Sequence, residues 1–290
     1  MECLFYAIIV TYNPDLNILK TNVENLFEQG FKIIIIDNNS KNIEKFSGLD
    51  NIKIIKLTEN MGIAYALNKG MEAALQKGAT WVLSLDQDTK VADNLLEEYK
   101  KFIDLPNVAA LSPRVIKKGL PIDNSDCDSV IEINKCPTSG FFMKTSLWDQ
   151  VGRYDDWMFI DYVDYDMCAK LKVNGYHIYR VNTTYIIQNL GKIKVNQKLY
   201  KIGSLFHLKK ISNFAITYNH NSIRNYYFVR NGLYYIHKYN KFIDKRYEIK
   251  FIIKWELKKL ILEPNKKLTI KSIINGYKDY KNKIGREIRV

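Results

Sequence analysis

The chain has 290 residues, 47% of them hydrophobic and 13% aromatic, and a formal net charge of +13. That is ample apolar material for a core in one or two domains, and it excludes an intrinsically disordered chain. No run of 18 apolar residues occurs, so no membrane-spanning helix is expected, and the four cysteines (Cys3, Cys127, Cys136, Cys168) form no CxxC pair, which argues against a zinc site and fits a reducing compartment.

The first segment, MECLFYAIIVTYNP, has an acidic second residue and a short apolar run that ends in Asn-Pro. It reads as a strand over 4–10, not as a signal peptide. Leu16, Leu19, Val23, Leu26 and Phe27 follow at the three-to-four spacing of a helix. KIIIID (32–37) and IKIIKL (52–57) predict two more strands. GIAYALNKGMEAALQKG (62–78) predicts a helix with Gly78 as its C-cap, WVLSLD (81–86) a fourth strand, and NLLEEYKKFI (94–103) another helix. Short, uniformly apolar strands separated by helices indicate a parallel sheet covered on both faces. Residues 1 to about 115 therefore read as an α/β half of the nucleotide-binding type. Neither GxGxxG nor GxxxxGK[ST] occurs, which argues against the usual dinucleotide and P-loop cradles. Beyond it, the shorter strands SGFFMKT, HIYRV and TYIIQ surround one helix near 164–174, as suits a mixed sheet, and residues 205–290 read as mostly helical.

In an open α/β sheet ligands bind at the carboxyl ends of the strands. Four polar clusters fall there: Thr11-Tyr12-Asn13-Pro14, Asp37-Asn38-Asn39-Ser40, Asn60-Met61-Gly62 and Asp86-Gln87-Asp88. Asp-x-Asp occurs three times, at Asp86/Asp88, Asp126/Asp128 and Asp164/Asp166. Such a pair serves a turn or N-cap, or a site for a hard divalent cation. Convergence with polar groups from other strands favours the site for Asp86/Asp88. Asp126/Asp128 lies in a DNSDCDS loop and reads as a turn or an acceptor-side loop. Tyr12 is equally a core tyrosine at a strand end, and Asn60 equally an N-cap.

In this order, VTYNP, IIDNNS, ENMGIAYALNKG and LDQDT resemble the donor-binding half of the family 2 glycosyltransferases with the GT-A fold. FIDYVDYDMCAKLKVNGYHIY (159–179) is similar to that family's acceptor-side motif, and SIRNYYFVRN (222–231) to a motif of its rhamnosyltransferase branch. The resemblance implies an α/β chain: a GT-A catalytic domain over 1–232, with a Rossmann-like donor-binding half (1–115), an acceptor-binding half (116–232) and a mixed central sheet. A basic helical extension over 233–290 follows it. It implies an inverting transfer of a sugar from a dTDP- or UDP-linked donor to a hydroxyl of a cell-surface glycan or lipid-linked acceptor. The branch points to L-rhamnose from dTDP-L-rhamnose. By the same resemblance Asp88 ligates Mg²⁺ or Mn²⁺ and Asp86 contacts the metal or the ribose. Thr11, Tyr12, Asn13, Asp37, Asn60, Gly62 and Arg224 contact the donor, Asp164 is the general base, and Asp161 and Asp166 lie at the acceptor. An Asp at a helix N-terminus is favoured in its ionised form; N-capping by Asp161 or Asp164 is the alternative. Arg224 and Arg230 either clamp the diphosphate or pack the C-terminal helices. Where the branch often has a metal-side His, this chain has Gln188, a weaker ligand for manganese, which bears on metal dependence. The rival readings are a nucleotidyltransferase, which would carry a glycine-rich basic N-terminal loop where TYNPD stands, and a basic nucleic-acid-binding protein, whose charge would interleave with a recognised module. No nucleic-acid partner is expected.

Residues 241–290 carry 15 Lys/Arg against 6 Asp/Glu, a net +9. KRYEIKFIIKWELKKLIL (245–262) predicts a helix on which Ile249, Ile252, Ile253, Leu257 and Leu260 share a face. It reads as an interfacial helix on an anionic membrane, or as one packed on the catalytic domain or on a second copy in a homo-oligomer. The membrane reading is preferred. It implies a cytoplasmic protein held peripherally on the inner face of the plasma membrane.

Overall fold

The computed structural model describes residues 3–46, 52–117, 128–188, 193–208, 214–218 and 222–287. Asp126 and Cys127 lie outside them. The chain divides into two compact units, Met1–Phe159 with Val163–Asn189, and Ile160–Tyr162 with Leu190–Val290.

The first unit runs β1 (Phe5–Thr11), α1 (Leu16–Glu28), β2 (Lys32–Asp37), β3 (Lys53–Lys56), α2 (Gly62–Leu75), β4 (Trp81–Asp86), β5 (Thr89–Val91), α3 (Leu95–Lys100), β6 (Val108–Lys117), β7 (Val130–Ile133), β8 (Phe141–Lys144), α4 (Thr145–Gln150), α5 (Val163–Val173) and β9 (His177–Gln188). Its sheet has the order β3-β2-β1-β4-β8-β6-β9-β5, with β7 also paired to β9. β3, β2, β1 and β4 are parallel, which their unbroken apolar runs require, since both faces are covered. β8 then runs antiparallel to β4 and β6, which makes the sheet mixed.

HIYRV and TYIIQ, expected as separate strands, form the single strand β9. It lies parallel to β6 on both sides of an irregularity at 182–184, and its other edge takes β7 and then β5. The polar residues Asn182, Thr183 and Thr184 at the join do not break the strand because their side chains are satisfied in place. Thr183 Oγ1 donates to Glu98 and Thr184 Oγ1 to Asn94, while Asn182 Nδ2 donates to the Asp128 carbonyl.

Local signals set the helix ends. The Asp15 carboxylate caps α1 by accepting from the Asn17 and Ile18 amides, and Gly78 takes the left-handed conformation (φ +78°) just beyond α2. The core between the sheet and α1 and α3 centres on Phe142. Its fully buried ring stacks against Tyr99 (5.0 Å) and Trp81 (5.1 Å) and is approached by Phe5 and Phe31. The Tyr99 hydroxyl donates to the Gly140 carbonyl at 2.7 Å, which removes the cost of burying it.

The second unit holds β10 (Ile193–Val195), α6 (Gln197–Leu205), β11 (Ile216–Tyr218), α7 (Ser222–Lys238), α8 (Lys245–Leu262) and α9 (Lys266–Glu287), with β10 and β11 antiparallel. The boundary expected at 232/233 falls inside α7. α9 approaches α7 closely at Gly276, where a Cβ would lie 2.6 Å from the Tyr226 carbonyl oxygen.

α8 departs from the expected pattern. Its buried face is Glu248, Ile252, Glu256 and Lys259, while Ile253, Leu257 and Ile261 are each more than half exposed. The five apolar residues expected on one face therefore split between two. Lys259 Nζ bonds Glu256 at 2.9 Å and lies 4.8 Å from the Phe228 ring centre, so the buried charges are paired. Burial still pushes the Glu256 carboxyl above its ordinary value, against the pull of Lys259.

Phe142→Ala removes the ring on which four others converge. It is expected to cost about 3–5 kcal/mol of stability, read by urea unfolding. A loss below about 1 kcal/mol would mean that the cluster is not the centre of this core.

Candidate active site

The register of the parallel strands brings three polar side chains to one edge of the sheet, Asp86 one residue below the level of Thr11 and Asp37. Thr11 pairs with Asp37 across β1 and β2, and Val10 with Asp86 across β1 and β4. Asp37 is buried, and its carboxylate accepts from Thr11 Oγ1 (2.8 Å), the Ser40 amide (2.8 Å) and Ser40 Oγ (2.5 Å). A carboxylate has about four acceptor positions, so most of Asp37 is committed to shaping this corner. Asn13, at φ +49°, donates its amide to Ser40 Oγ and accepts from the Lys41 amide, which closes the loop from the other side.

Asn38 bridges the next strand end: its Oδ1 accepts from the Met61 amide at 3.2 Å. Asn60 Oδ1 accepts from the Gly62 amide at 3.1 Å in a turn just before α2, whose N-cap position is Met61 and not Asn60. Gly62 has φ +84°, and a Cβ there would lie 2.5 Å from the Phe159 ring; the Phe159 carbonyl accepts from the Ile63 amide. Only glycine fits that backbone and that approach.

The Asp86-Gln87-Asp88 turn joins β4 to β5. Gln87 pairs reciprocally with the Tyr12 backbone: its Oε1 accepts from the amide at 2.6 Å and its Nε2 donates to the carbonyl at 3.2 Å. The Asp86 amide donates to Ser139 Oγ, which donates to Thr89 Oγ1, both hydroxyls being fully buried. Tyr12 is half exposed and so is not a core residue. Asp88 is exposed as a residue, yet the protein behind its carboxyl pushes it above the ordinary aspartate value. Gln188 stands in register opposite Thr89, one residue beyond Asp88.

The third Asp-x-Asp separates into two roles. Asp164, in the first turn of α5, is half-buried and accepts from the Tyr165 amide. Asp166 is fully buried and ion-paired with Lys170 at 3.1 Å, and Lys170 also donates to the Gly152 and Arg153 carbonyls. That leaves Asp166 no face toward an acceptor; it braces α5. The first unit's two halves meet at Asn68, which is buried. Its Nδ2 donates to the Tyr154 carbonyl and to Asp156, and its Oδ1 accepts from Trp148 Nε1 and the Tyr154 amide. Within the second unit, Arg224 pairs with Asp161 at 2.5 Å, and Arg230 is buried, bonded to Asn231 and stacked over Tyr227. Arg230 is thus a packing residue.

Among the described residues, no group of three or more His, Cys, Asp or Glu side chains is arranged to hold a metal ion. Mg²⁺ and Mn²⁺ at phosphate-transfer sites need only one or two protein carboxylates, with water and substrate oxygens completing the shell. Asp86 and Asp88 meet that smaller requirement.

Residues 6–142 match the family model of glycosyl transferase family 2. Over that segment, a little under half of the chain, it resembles the family 2 glycosyltransferases. It is 27% identical over 256 residues to the dTDP-rhamnosyl transferase RfbF of Shigella flexneri, covering 82% of this chain and 81% of that protein. S. aureus TarS residues 1–349, solved with UDP-GlcNAc, superposes with a TM-score of 0.52 at 14% identity over 98% of this chain and 92% of that one. GalNAc-T7, solved with UDP, GalNAc and Mn²⁺, gives 0.55 at 15% identity over 64% of this chain, which spans 44% of that protein. The two structures show the fold alone: GT-A, with a mixed central sheet, followed here by a helical C-terminal region. The family 2 match and the likeness to a rhamnosyl transferase favour a glycosyltransferase over the nucleotidyltransferase and nucleic-acid-binding readings. Gln87, Ser139 and Asn68 are structural partners that sequence reasoning did not assign. Gln87 was readable only as the spacer of Asp-x-Asp, and Ser139 reaches Asp86 through an antiparallel pairing that no local pattern announces.

Proposed function

We propose that this chain is an inverting glycosyltransferase that moves L-rhamnose from dTDP-L-rhamnose to a hydroxyl of a cell-surface glycan or lipid-linked acceptor. The observation that carries it is the Asp86-Gln87-Asp88 turn at the carboxyl end of β4, beside Tyr12 and the Asp37 corner, within the segment that matches family 2. The choice of sugar is supported by the likeness to the rhamnosyl transferase of Shigella flexneri.

Tyr12 offers an exposed ring to the base of the donor, and Asn13, Asn60 and Gly62 line the nucleotide. Asp37, through Thr11 and Ser40, holds that corner in shape. Asp88, with Asp86, would hold Mg²⁺ or Mn²⁺, which when bound supplies positive charge against the departing diphosphate. The GT-A neighbour solved with UDP and Mn²⁺ supports this assignment. Gln188 contributes a neutral amide at most, so the carboxylates carry the cation affinity. At the other side of the reaction Asp164 takes the proton of the acceptor hydroxyl as its oxygen bonds the anomeric carbon. The bond from that carbon to the diphosphate breaks, its electron pair stays with the phosphate oxygen, and the configuration inverts.

The tail supports peripheral attachment to the cytoplasmic face of an anionic membrane. Ile253, Leu257 and Ile261 form an exposed stripe on α8, with Lys250 and Lys254 exposed beside it. Among the described residues no helix is long and apolar enough to cross a membrane.

Asp88→Ala is expected to abolish transfer. Cation binding, followed by calorimetry without donor turnover, should weaken as pH falls. Because the Asp88 carboxyl is raised, protons displace the cation starting at a higher pH than for an unshifted aspartate, and the variant should lack this dependence. Full activity of the variant in excess chelator would overturn the cation assignment.

Asp164→Asn keeps the shape and removes the base, so turnover should fall roughly 10²- to 10⁴-fold with donor affinity unchanged. Turnover across a panel of nucleotide sugars, with dTDP-L-rhamnose expected fastest, tests the donor in the same assay. Retained turnover with collapsed donor binding would make Asp164 a binding residue.

The protein is expected to sediment with anionic but not neutral vesicles, less so as salt rises, because each basic residue near the surface contributes about 1 kcal/mol at best. A Leu257→Asp variant should sediment less. Absence from anionic vesicles at low salt, with concentration-dependent self-association, would give the stripe to a second copy of the chain.

A further inference from the structure

The chain enters α5 through an improbable backbone. Asp161 and Tyr162 both take left-handed conformations, at φ +63° and +66°, directly before Val163 opens the helix. Aspartate tolerates this region; tyrosine seldom adopts it. Two such residues in succession persist only where the surroundings over-determine them.

One stripe of α7 does so. Asn231 is fully buried, and its Nδ2 donates to the Ile160 carbonyl at 2.8 Å and to the Asp161 carbonyl at 2.9 Å. Its Oδ1 accepts from Arg230 Nε, which fixes the orientation of the amide. Arg224 holds the Asp161 carboxylate. Tyr162 packs between the rings of Phe228 (5.6 Å) and Tyr235 (5.5 Å), over Gly232, where a Cβ would come within 2.9 Å of it. Residues 224, 228, 231, 232 and 235 share one helical face. This face also packs against α8 through Phe228 and Gly232, but its hydrogen bonds and ion pair converge on the segment 160–162, and Asp164 lies two residues further along the chain.

We propose that Asn231 is a positioning residue for transfer: by holding both carbonyls of the left-handed turn it sets the direction in which α5 begins, and so where the Asp164 carboxylate stands. Arg224 assists by fixing Asp161, in place of clamping the donor diphosphate. The proposal rests on Asp164 being the base. A reacting group displaced by about 1 Å can lose up to 10²-fold in rate.

The test is a double-mutant cycle in the full chain. Asn231→Asp keeps the shape of the side chain but presents oxygens where the two carbonyls need donors. It is expected to lower kcat about 10- to 100-fold with the donor KM unchanged. Combined with Asp164→Asn it should add no further loss, because both act on one proton transfer. Arg224→Gln, a change at a half-exposed side chain, should lower kcat in the same non-additive way, and it serves if Asn231→Asp does not fold. Asn231→Ser, which retains one donor, should recover part of the rate. Losses that multiply with Asp164→Asn, or a rise in donor KM for Arg224→Gln, would overturn the inference while leaving the base assignment intact. A normal rate for Asp164→Asn alone would instead remove the reading on which it rests.

Discussion

A strand buried on both faces can carry a polar side chain only where it leaves the sheet or where the chain satisfies it in place, as it does Ser84 in β4. β1, β2 and β4 are such strands, and Ile8, Ile9, Ile34, Ile35, Ile36 and Leu83 are sealed from water along their length. Polar groups from three strands are therefore driven to one edge, and parallel pairing puts that edge on one side of the molecule. The donor-side edge of the first unit follows from this. Asp37 and Asp86 come level with Thr11 and Val10, Gln87 reaches the Tyr12 backbone, and the turn carrying Asp88 projects beyond them. The turn leading into the antiparallel strand β8 supplies Ser139, whose hydroxyl ties the Asp86 amide to Thr89.

The parts legible in sequence were those written in local patterns. Uninterrupted apolar runs identified β1, β2, β3 and β4, and their polar ends located the edge. What stayed hidden depended on distant partners or on phase. β9 looked like two strands because Asn182, Thr183 and Thr184 interrupt its apolar run, yet each is satisfied by a residue far away in sequence. Asp166 was grouped with Asp164, although residues two apart on a helix point to opposite sides; one faces outward and the other sits buried on Lys170. Arg224 finds Asp161 across 63 positions, a distance no motif spans.

α8 shows the same limit in another form. Hydropathy alone turns its apolar residues inward. The structure instead buries Glu256 and Lys259 as a pair and leaves Ile253, Leu257 and Ile261 toward solvent. The pairing makes this tolerable: a Lys stem covers apolar surface while its ammonium meets both a carboxylate and the Phe228 ring.

The buried amide of Asn68 uses all four of its hydrogen-bonding positions, and every partner lies beyond residue 147. The donor-side and acceptor-side halves of the first unit are therefore not modules that could be exchanged between relatives as blocks. A chimera joined between β6 and β7 would inherit Asn68 from one parent and its partners from the other. Unless the graft supplied a tryptophan and a tight turn in the same places, it would seal an unsatisfied amide inside the protein. Recombination in this fold is constrained at one interior residue, well away from the edge where the chemistry is done.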